Sequence, residues 1–399
     1  MKKIATLLTT LSLFYTIPSN AQIWDKIKKR AEEKAEELLT KKRDKKSKKE
    51  QSKAGGVLSD EDYSGGVNTS PVEVWRNYKF VPGEDVIFYD DLKYEEVGEF
   101  PSRWDLRQGG AEVATFDGDK VIIGTAQYEN TILPLFNNKK YLSDEFTIEF
   151  DIYVDEMSKS YYNNWTNYDI ILSSNSLNNP NIDFSLRSDK TTGQVGSYDF
   201  QLENVSLGRL KAWHHIAMSY NKGKFKMYYD EKRIANLPRL NFTPNTFGIQ
   251  MDIKQNSSFP GKALYGIRNI RIANGGGQLY KRIISEGKYT TNGIHFKSGE
   301  ADVESQSLGI INKIAAIMKE NKDWNFQIIG HTDSDGDNAK NLNLSQKRAE
   351  AVKKALVEQG IKKDRITCTG KGETELLFTD ANASIEDKAN NRRVEFLKQ

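Results

Sequence analysis

The residues whose types and spacing can do chemistry concentrate near the C-terminus. Gly330 closes an apolar run, and residues 331–338 form a loop rich in Gly and Asp. Asn341, Leu344, Ser345 and Arg348 follow at spacings of three, one and three, so they share one helix face. Loop and face can converge on one pocket holding a carboxylate, an amide and a guanidinium. Such a set binds an ionic ligand, or it serves the fold: Asp333 and Arg348 can form a structural ion pair, and Asn341 can cap or orient the loop. Asp333, Asp335 and Asp337 recur at every second position, as in a calcium loop, but Gly336 interrupts them and the closing bidentate Glu is missing. His331 has no general acid or base partner in the motif, so no catalysis is expected there.

A second group lies mid-chain. Glu149 and Asp151 stand two apart in a strand-like run over residues 146–154. Retaining glycoside hydrolysis needs two carboxylates about 5–5.5 Å apart. The ExDxxE pattern that would supply them is broken by Val154. His214 and His215 are adjacent, and adjacent strand residues point to opposite faces, so they cannot chelate one ion without a bulge. Tyr161, Tyr162, Trp165 and Tyr168 fall in the Asn-rich stretch after that strand. They are the aromatic candidates for a ligand loop, with loop packing as the alternative. The single cysteine, Cys368, excludes an intramolecular disulfide and Cys-based zinc sites. It sits in a strand-like run, Ile366, Thr367, Cys368 and Thr369, that suits a buried, inert thiol. No cofactor and no metal are expected.

The elements that must position these residues fall into two folded parts. Residues 84–276 are β-rich, with alternating or β-branched runs punctuated by Asn, Gly and Ser, which predicts a β-sandwich or jelly roll. An outer-membrane β-barrel needs strands of about ten residues alternating a lipid face with a polar lumen. This region has continuous apolar runs and charged stretches instead. Residues 277–288 read as a linker. From residue 289 the grammar becomes α+β, in the order βαβαββ. The spacing predicts strands over 293–296, 324–330, 365–369 and 393–397. It predicts helices over 303–321 and 342–359, the second stopped by Gly360.

The N-terminal part is different again. Residues 1–21 have the layout of a signal peptide, with Lys2 and Lys3 before an apolar core and a small-residue end at Ala21. In residues 22–53, Trp24, Ile27, Ala31, Ala35 and Leu38 form an apolar helical stripe. Between Asp25 and Lys53 there are 13 Lys or Arg against 7 Asp or Glu. With Lys2 and Lys3 also counted, the rest of the chain carries −5 of the total +3. A mildly acidic body therefore bears a basic amphipathic arm, suited to an anionic membrane surface or to solvent. Nucleic acid is not expected as a partner. Residues 54–83 are Gly-, Ser- and Asp-rich in their first part and read as a linker.

Two resemblances stand on these residues. Trp213, His214, His215, Ile216 and Ala217, followed by the run from Gly223 to Ala235 and preceded by the run over 146–153, resemble the laminin-G/concanavalin-like lectin fold. That implies a module for glycan or protein binding, with a polysaccharide-active enzyme as the rival. The residues from Ile294 to Glu395 closely resemble the OmpA-like peptidoglycan-binding domain. The match runs through His295, Phe296, Gly299, Gly330, His331, Thr332, Asp333 and Gly336. It continues with Asn341, Leu344, Ser345, Arg348, Gly360, Gly370 and Glu373, then Asn391, Arg392, Arg393 and Val394. That resemblance implies a ligand, the diamino-acid residue of the peptidoglycan stem peptide. It implies that Asp333 accepts from the ammonium and Arg348 holds the carboxylate, with Thr332, Asn341 and Arg392 adding hydrogen bonds. It also implies a cell-envelope protein of a diderm bacterium, in the periplasm or at the periplasmic face of the outer membrane. A barrel of OmpA architecture is the remaining alternative.

Overall fold

The computed structural model describes residues 78–399, except residues 156–164, 175–181, 203–210, 255–263 and 380–382 and scattered single or paired positions. The expected signal peptide, arm and most of the first linker lie outside the described residues. No described helix is long and apolar enough to cross a membrane.

Fifteen of the described strands build two sheets. In chain order they begin with β1 (Asp85–Asp90), β2 (Trp104–Gln108), β3 (Ala111–Phe116), β4 (Asp119–Gly124) and β5 (Asn130–Pro134). Then come β6 (Glu145–Val154), β7 (Trp165–Ser173), β8 (Ile182–Arg187), β9 (Lys190–Val195) and β10 (Tyr198–Gln201). The last are β11 (Ala212–Asn221), β12 (Lys224–Tyr229), β13 (Lys232–Leu237), β14 (Thr246–Lys254) and β15 (Ile267–Asn274). One sheet runs β13, β12, β11, β6, β15, β4, β3, with β1 also on β15; the other runs β10, β9, β8, β7, β14, β5, β2.

Period-two alternation explains the packing. Phe146, Ile148, Phe150, Ile152 and Val154 of β6 all lie in one hydrophobic core with residues of the second sheet such as Ile170, Phe184 and Phe247. Phe150 meets Phe247 across the sheets at 6.0 Å, and Phe184 stacks on Phe225 at 5.5 Å. Each such fully buried side chain contributes roughly 1.5–3 kcal/mol. Glu149, Asp151 and Tyr153 necessarily face the other side of the sheet.

The C-terminal part comprises α1 (Leu279–Glu286), β16 (Lys288–Thr291), α2 (Leu308–Glu320), β17 (Phe326–His331) and α3 (Asn338–Glu358). It ends with β18 (Ile366–Gly372), α4 (Ile385–Asn391) and β19 (Val394–Lys398). The sheet order is β16, β19, β17, β18, with β17 and β18 parallel. Its core joins Ile310, Ile314 and Met318 of α2 to Val352 and Leu356 of α3 and to Phe326, Ile328 and Phe396 of the sheet.

Several expectations need correction here. Residues 277–288, read as a linker, hold α1, whose Leu279 and Ile283 are buried in this core. The first strand is β16 rather than 293–296, where only an isolated bridge joins Phe296 to Val303. Helix α3 starts at Asn338, four residues early, because the Asp337 side chain accepts from the Lys340 N–H and caps it. Helix α4 was not expected; it is capped by a reciprocal Ser384–Asp387 box.

The outer face of the β6 sheet is not a solvent face. Asn390 of α4 clasps the backbone of Val86, donating to its carbonyl and accepting from its N–H, each at 3.0 Å. The Asn292 amide donates to the Glu84 carbonyl and to Asn390 Oδ1, both at 2.9 Å. The end of the first linker is also buried: Tyr78 and Phe80 pack on Tyr228 and Ala217.

Candidate functional site

Cross-strand register lines charged residues up in two rows on that covered face. Arg271 of β15 and Ala217 of β11 flank Glu149, while Arg268 and His215 flank Asp151. Arg271, 2% exposed, donates to Glu149 Oε2 at 2.8 Å and also to the Gly83 carbonyl and Asn292 Oδ1. His215 Nδ1 bonds Asp151 Oδ1 at 2.9 Å, and its Nε2 lies 3.7 Å from Glu149 Oε1. Burial alone would raise the Glu149 carboxyl, but His215 and Arg271 hold it down at about 2. Burial works against a charged His215 ring, yet Asp151 and Glu149 carry its pKa up to about 10. At neutral pH neither group exchanges a proton readily, so the cluster is a set of fixed charges. Val154 points into the core. His214, on the opposite face from His215, is buried with Nδ1 2.7 Å from Asp230 Oδ2.

The C-terminal residues are assembled by close packing of α3 on β17 and β18. A Cβ on Gly330 would meet the Ser345 carbonyl oxygen at 2.3 Å, and one on Gly370 would meet the Gln346 nitrogen at 2.3 Å. Ser345 Oγ accepts from the Gly372 N–H at 2.8 Å. This contact fixes the helix face against the end of β18, and the Gly372 carbonyl in turn accepts from the Thr332 N–H of the loop after β17 at 3.0 Å.

All five expected residues line one cleft beside the loop, but not with the expected pairings. Asp333 does not pair with Arg348. Its Oδ2 accepts from Arg392 Nη1 at 2.6 Å. Arg392 in turn lies 5.1 Å from the Tyr89 ring of β1. Arg348 donates through Nε to the Glu300 carbonyl at 3.1 Å and sits 4.9 Å over the Phe296 ring, which leaves its two Nη groups without a described partner. Thr332 is 3% exposed and its hydroxyl has no described hydrogen-bond partner. Asn341 serves the loop: its amide donates to the Asp335 carbonyl at 3.1 Å and to Glu373 Oε2 at 2.6 Å.

Neighbouring groups are structural. Arg393 turns away from Arg392, donating to Glu395 Oε1 at 2.9 Å and to the Glu375 carbonyl at 2.9 Å. Burial, with Arg393 close by, pushes His331 down to about 4. Asp335 pairs with Lys388 at 2.8 Å and Lys93 at 3.5 Å. Among the described residues no group of three or more His, Cys, Asp or Glu is placed to hold a metal ion. Cys368 is half-buried, with Sγ 3.4 Å from the Ala349 carbonyl, and burial raises its pKa.

Of the aromatic candidates of the middle domain, Tyr168 does not belong to a ligand loop. Tyr168 lies within β7, 1% exposed; its hydroxyl donates to the Tyr153 carbonyl at 2.6 Å and accepts from the Gly266 N–H at 2.9 Å. A ring so enclosed packs the core. Trp165 opens β7; its side chain, with Tyr161 and Tyr162, lies outside the described residues.

Asp333, Thr332, Arg348 and Arg392 open into a cleft of about 570 Å³ whose other wall is the covered face of the first sheet, including Tyr89, Asp151, His215 and Arg268. Adjacency to His214 argues against a metal-ligand role for His215 and gives no sign of this cluster. The alternation of His215 with Trp213 and Ala217 puts it on the sheet face opposite the core, without indicating that this face is covered.

A four-stranded sheet backed by α2 and α3, with this loop and helix face at the end of β17, defines an OmpA-like domain. Residues 295–392 match the model of the OmpA family. A probable lipoprotein, YiaD, of Escherichia coli is 36% identical over 104 residues, 26% of this chain and 47% of the relative. The peptidoglycan-binding protein ArfA of Mycobacterium tuberculosis is 34% identical over 104 residues, 26% of this chain and 31% of the relative. The chain thus spans less than half the length of these curated relatives. The solved peptidoglycan-associated lipoprotein of Burkholderia pseudomallei is 27% identical, covering 27% of this chain and 88% of that one, with a TM-score of 0.25.

Proposed function

We propose that this chain is an exported, non-enzymatic envelope protein of a diderm bacterium that holds peptidoglycan non-covalently. The ligand end is the diamino-acid residue of the stem peptide, whose free end carries an ammonium and a carboxylate. Asp333 and the Thr332 hydroxyl accept from the ammonium. The two unengaged Nη groups of Arg348 fork the carboxylate, with Arg392 beside them. Asn341 acts at one remove, by holding the loop.

One observation carries this reading. A carboxylate, a guanidinium with unused donors and a buried hydroxyl without a partner converge on one short wall of a cleft. A missing ligand charge would leave its partner unpaired, which is how such sites discriminate. The match of residues 295–392 to the OmpA family supports the assignment, as does a relative named for peptidoglycan binding. The two-sheet domain is a concanavalin/laminin-G-like sandwich that serves as a glycan- or protein-binding module, and the basic arm reaches an anionic membrane surface. Sedimentation with purified peptidoglycan tests the reading. The wild-type chain is retained, and Asp333→Ala combined with Arg348→Ala is not. Equal retention of the variant would overturn the assignment.

A further inference from the structure

The cleft has two walls, and only one belongs to the OmpA-like domain. We infer that the two-sheet domain completes the ligand site, and that His215 donates from Nε2 to a backbone carbonyl of a stem peptide whose diamino-acid end lies at Asp333 and Arg348. This rests on the reading above and extends it from a single residue to a peptide.

Three observations support it. The first is the donor itself. His215 Nδ1 is engaged by Asp151, while buried Nε2 has no hydrogen-bond partner, since 3.7 Å to Glu149 is too long. Asp151 and Glu149 favour the protonated ring, so Nε2 carries a hydrogen whose nearest acceptor, Glu149 Oε1 at 3.7 Å, lies beyond hydrogen-bond range. Thr332 Oγ1 on the facing wall is likewise unpartnered. The second is size. About 570 Å³ falls within the roughly 300–1,000 Å³ range of sites for drug-sized ligands, room for several peptide units. The third is charge. Lys93, Lys120 and Arg268 on the sheet side are set among Asp91, Asp119 and Asp151, so neither sign dominates that wall. A peptide, offering N–H and C=O groups in alternation, suits such a lining; a polyanion does not. The walls are held in register by Asn390 on Val86 and by the buried Arg271.

Calorimetric titration of the chain with two probes tests this: the free diamino acid, and a synthetic stem tripeptide ending in it. The wild type binds the tripeptide at least tenfold more tightly. His215→Gln weakens the tripeptide about tenfold more than the free diamino acid. Equal weakening of both, or of neither, overturns the inference while leaving the proposed function standing. Because His215 lies among buried charges, amide shifts of the unmodified chain give a second readout. The tripeptide perturbs Glu149, Asp151 and His215 in β6 and β11 as well as residues 332–348, whereas the free diamino acid perturbs the latter alone. Tripeptide shifts confined to residues 332–348 refute the second wall. No shift there with either probe refutes the proposed function and this inference together.

Discussion

Arg271 is the residue whose removal should be felt most widely. Its guanidinium is 2% exposed and joins three partners from different parts of the chain: Glu149 on β6, the Gly83 carbonyl at the end of the linker, and Asn292 after β16. Truncation to Ala leaves Glu149, 3% exposed, without its bidentate-capable partner, with only His215 at 3.7 Å to offset the charge. Breaking a buried ion pair in this way costs about 3–5 kcal/mol, whereas replacing both members by apolar groups of similar volume is often close to neutral. Arg271→Ala should therefore lower stability by about 3–5 kcal/mol in urea unfolding followed by tryptophan fluorescence. Arg271→Met with Glu149→Leu should recover most of that loss. A single-variant cost below about 1 kcal/mol, or a double variant no better than the single one, would refute the view that this pair is desolvated and holds the domains together.

Two further outcomes follow from the same geometry. Because the folded state holds the His215 proton up to about pH 10 against an ordinary value of 6.5, its stabilisation is complete below about 6.5 and fades as pH rises through 10; Glu149, held at about 2, loses its share only as pH falls from about 4.5 through 2. Urea midpoints should thus fall from pH 6.5 to 10 in the wild type, with a shallower fall in His215→Gln, and equal slopes would contradict the assignment. Gly330→Ala drives a Cβ to within 2.3 Å of the Ser345 carbonyl, so it should destabilise the OmpA-like domain by about 1–3 kcal/mol and weaken peptidoglycan retention, read by thermal unfolding and sedimentation.

Much of the C-terminal site was legible because its information is local. Asn341, Ser345 and Arg348 share a face by helical periodicity alone, and the loop after Gly330 announces itself in its Gly and Asp content. What sequence could not supply was pairing over distance. Asp333 meets Arg392, 59 positions away, rather than Arg348 on the adjacent helix. Helix α4 was hidden because its seven residues are mostly polar and offer only Ile385 and Ala389 as an apolar pair, too little to read as a stripe; only the Ser384–Asp387 box marked its start. Tyr168 looked like part of an aromatic loop because a strand boundary separates it from Tyr161 and Tyr162, and such boundaries are weakly encoded. The placement of His215 depended on which surface of the sheet another domain covers, and no periodicity within a strand can encode that.

On the proposed reading, one end of the cleft recognises a group carrying both an ammonium and a carboxylate. The most direct measurement is a calorimetric titration of the wild-type chain with a stem peptide bearing the free diamino-acid end, set against the same peptide with that carboxylate amidated. Charge-assisted hydrogen bonds contribute about 1.5–3 kcal/mol, so amidation should weaken binding roughly tenfold to a hundredfold. Equal affinity for the two peptides would contradict the roles given to Arg348 and Arg392.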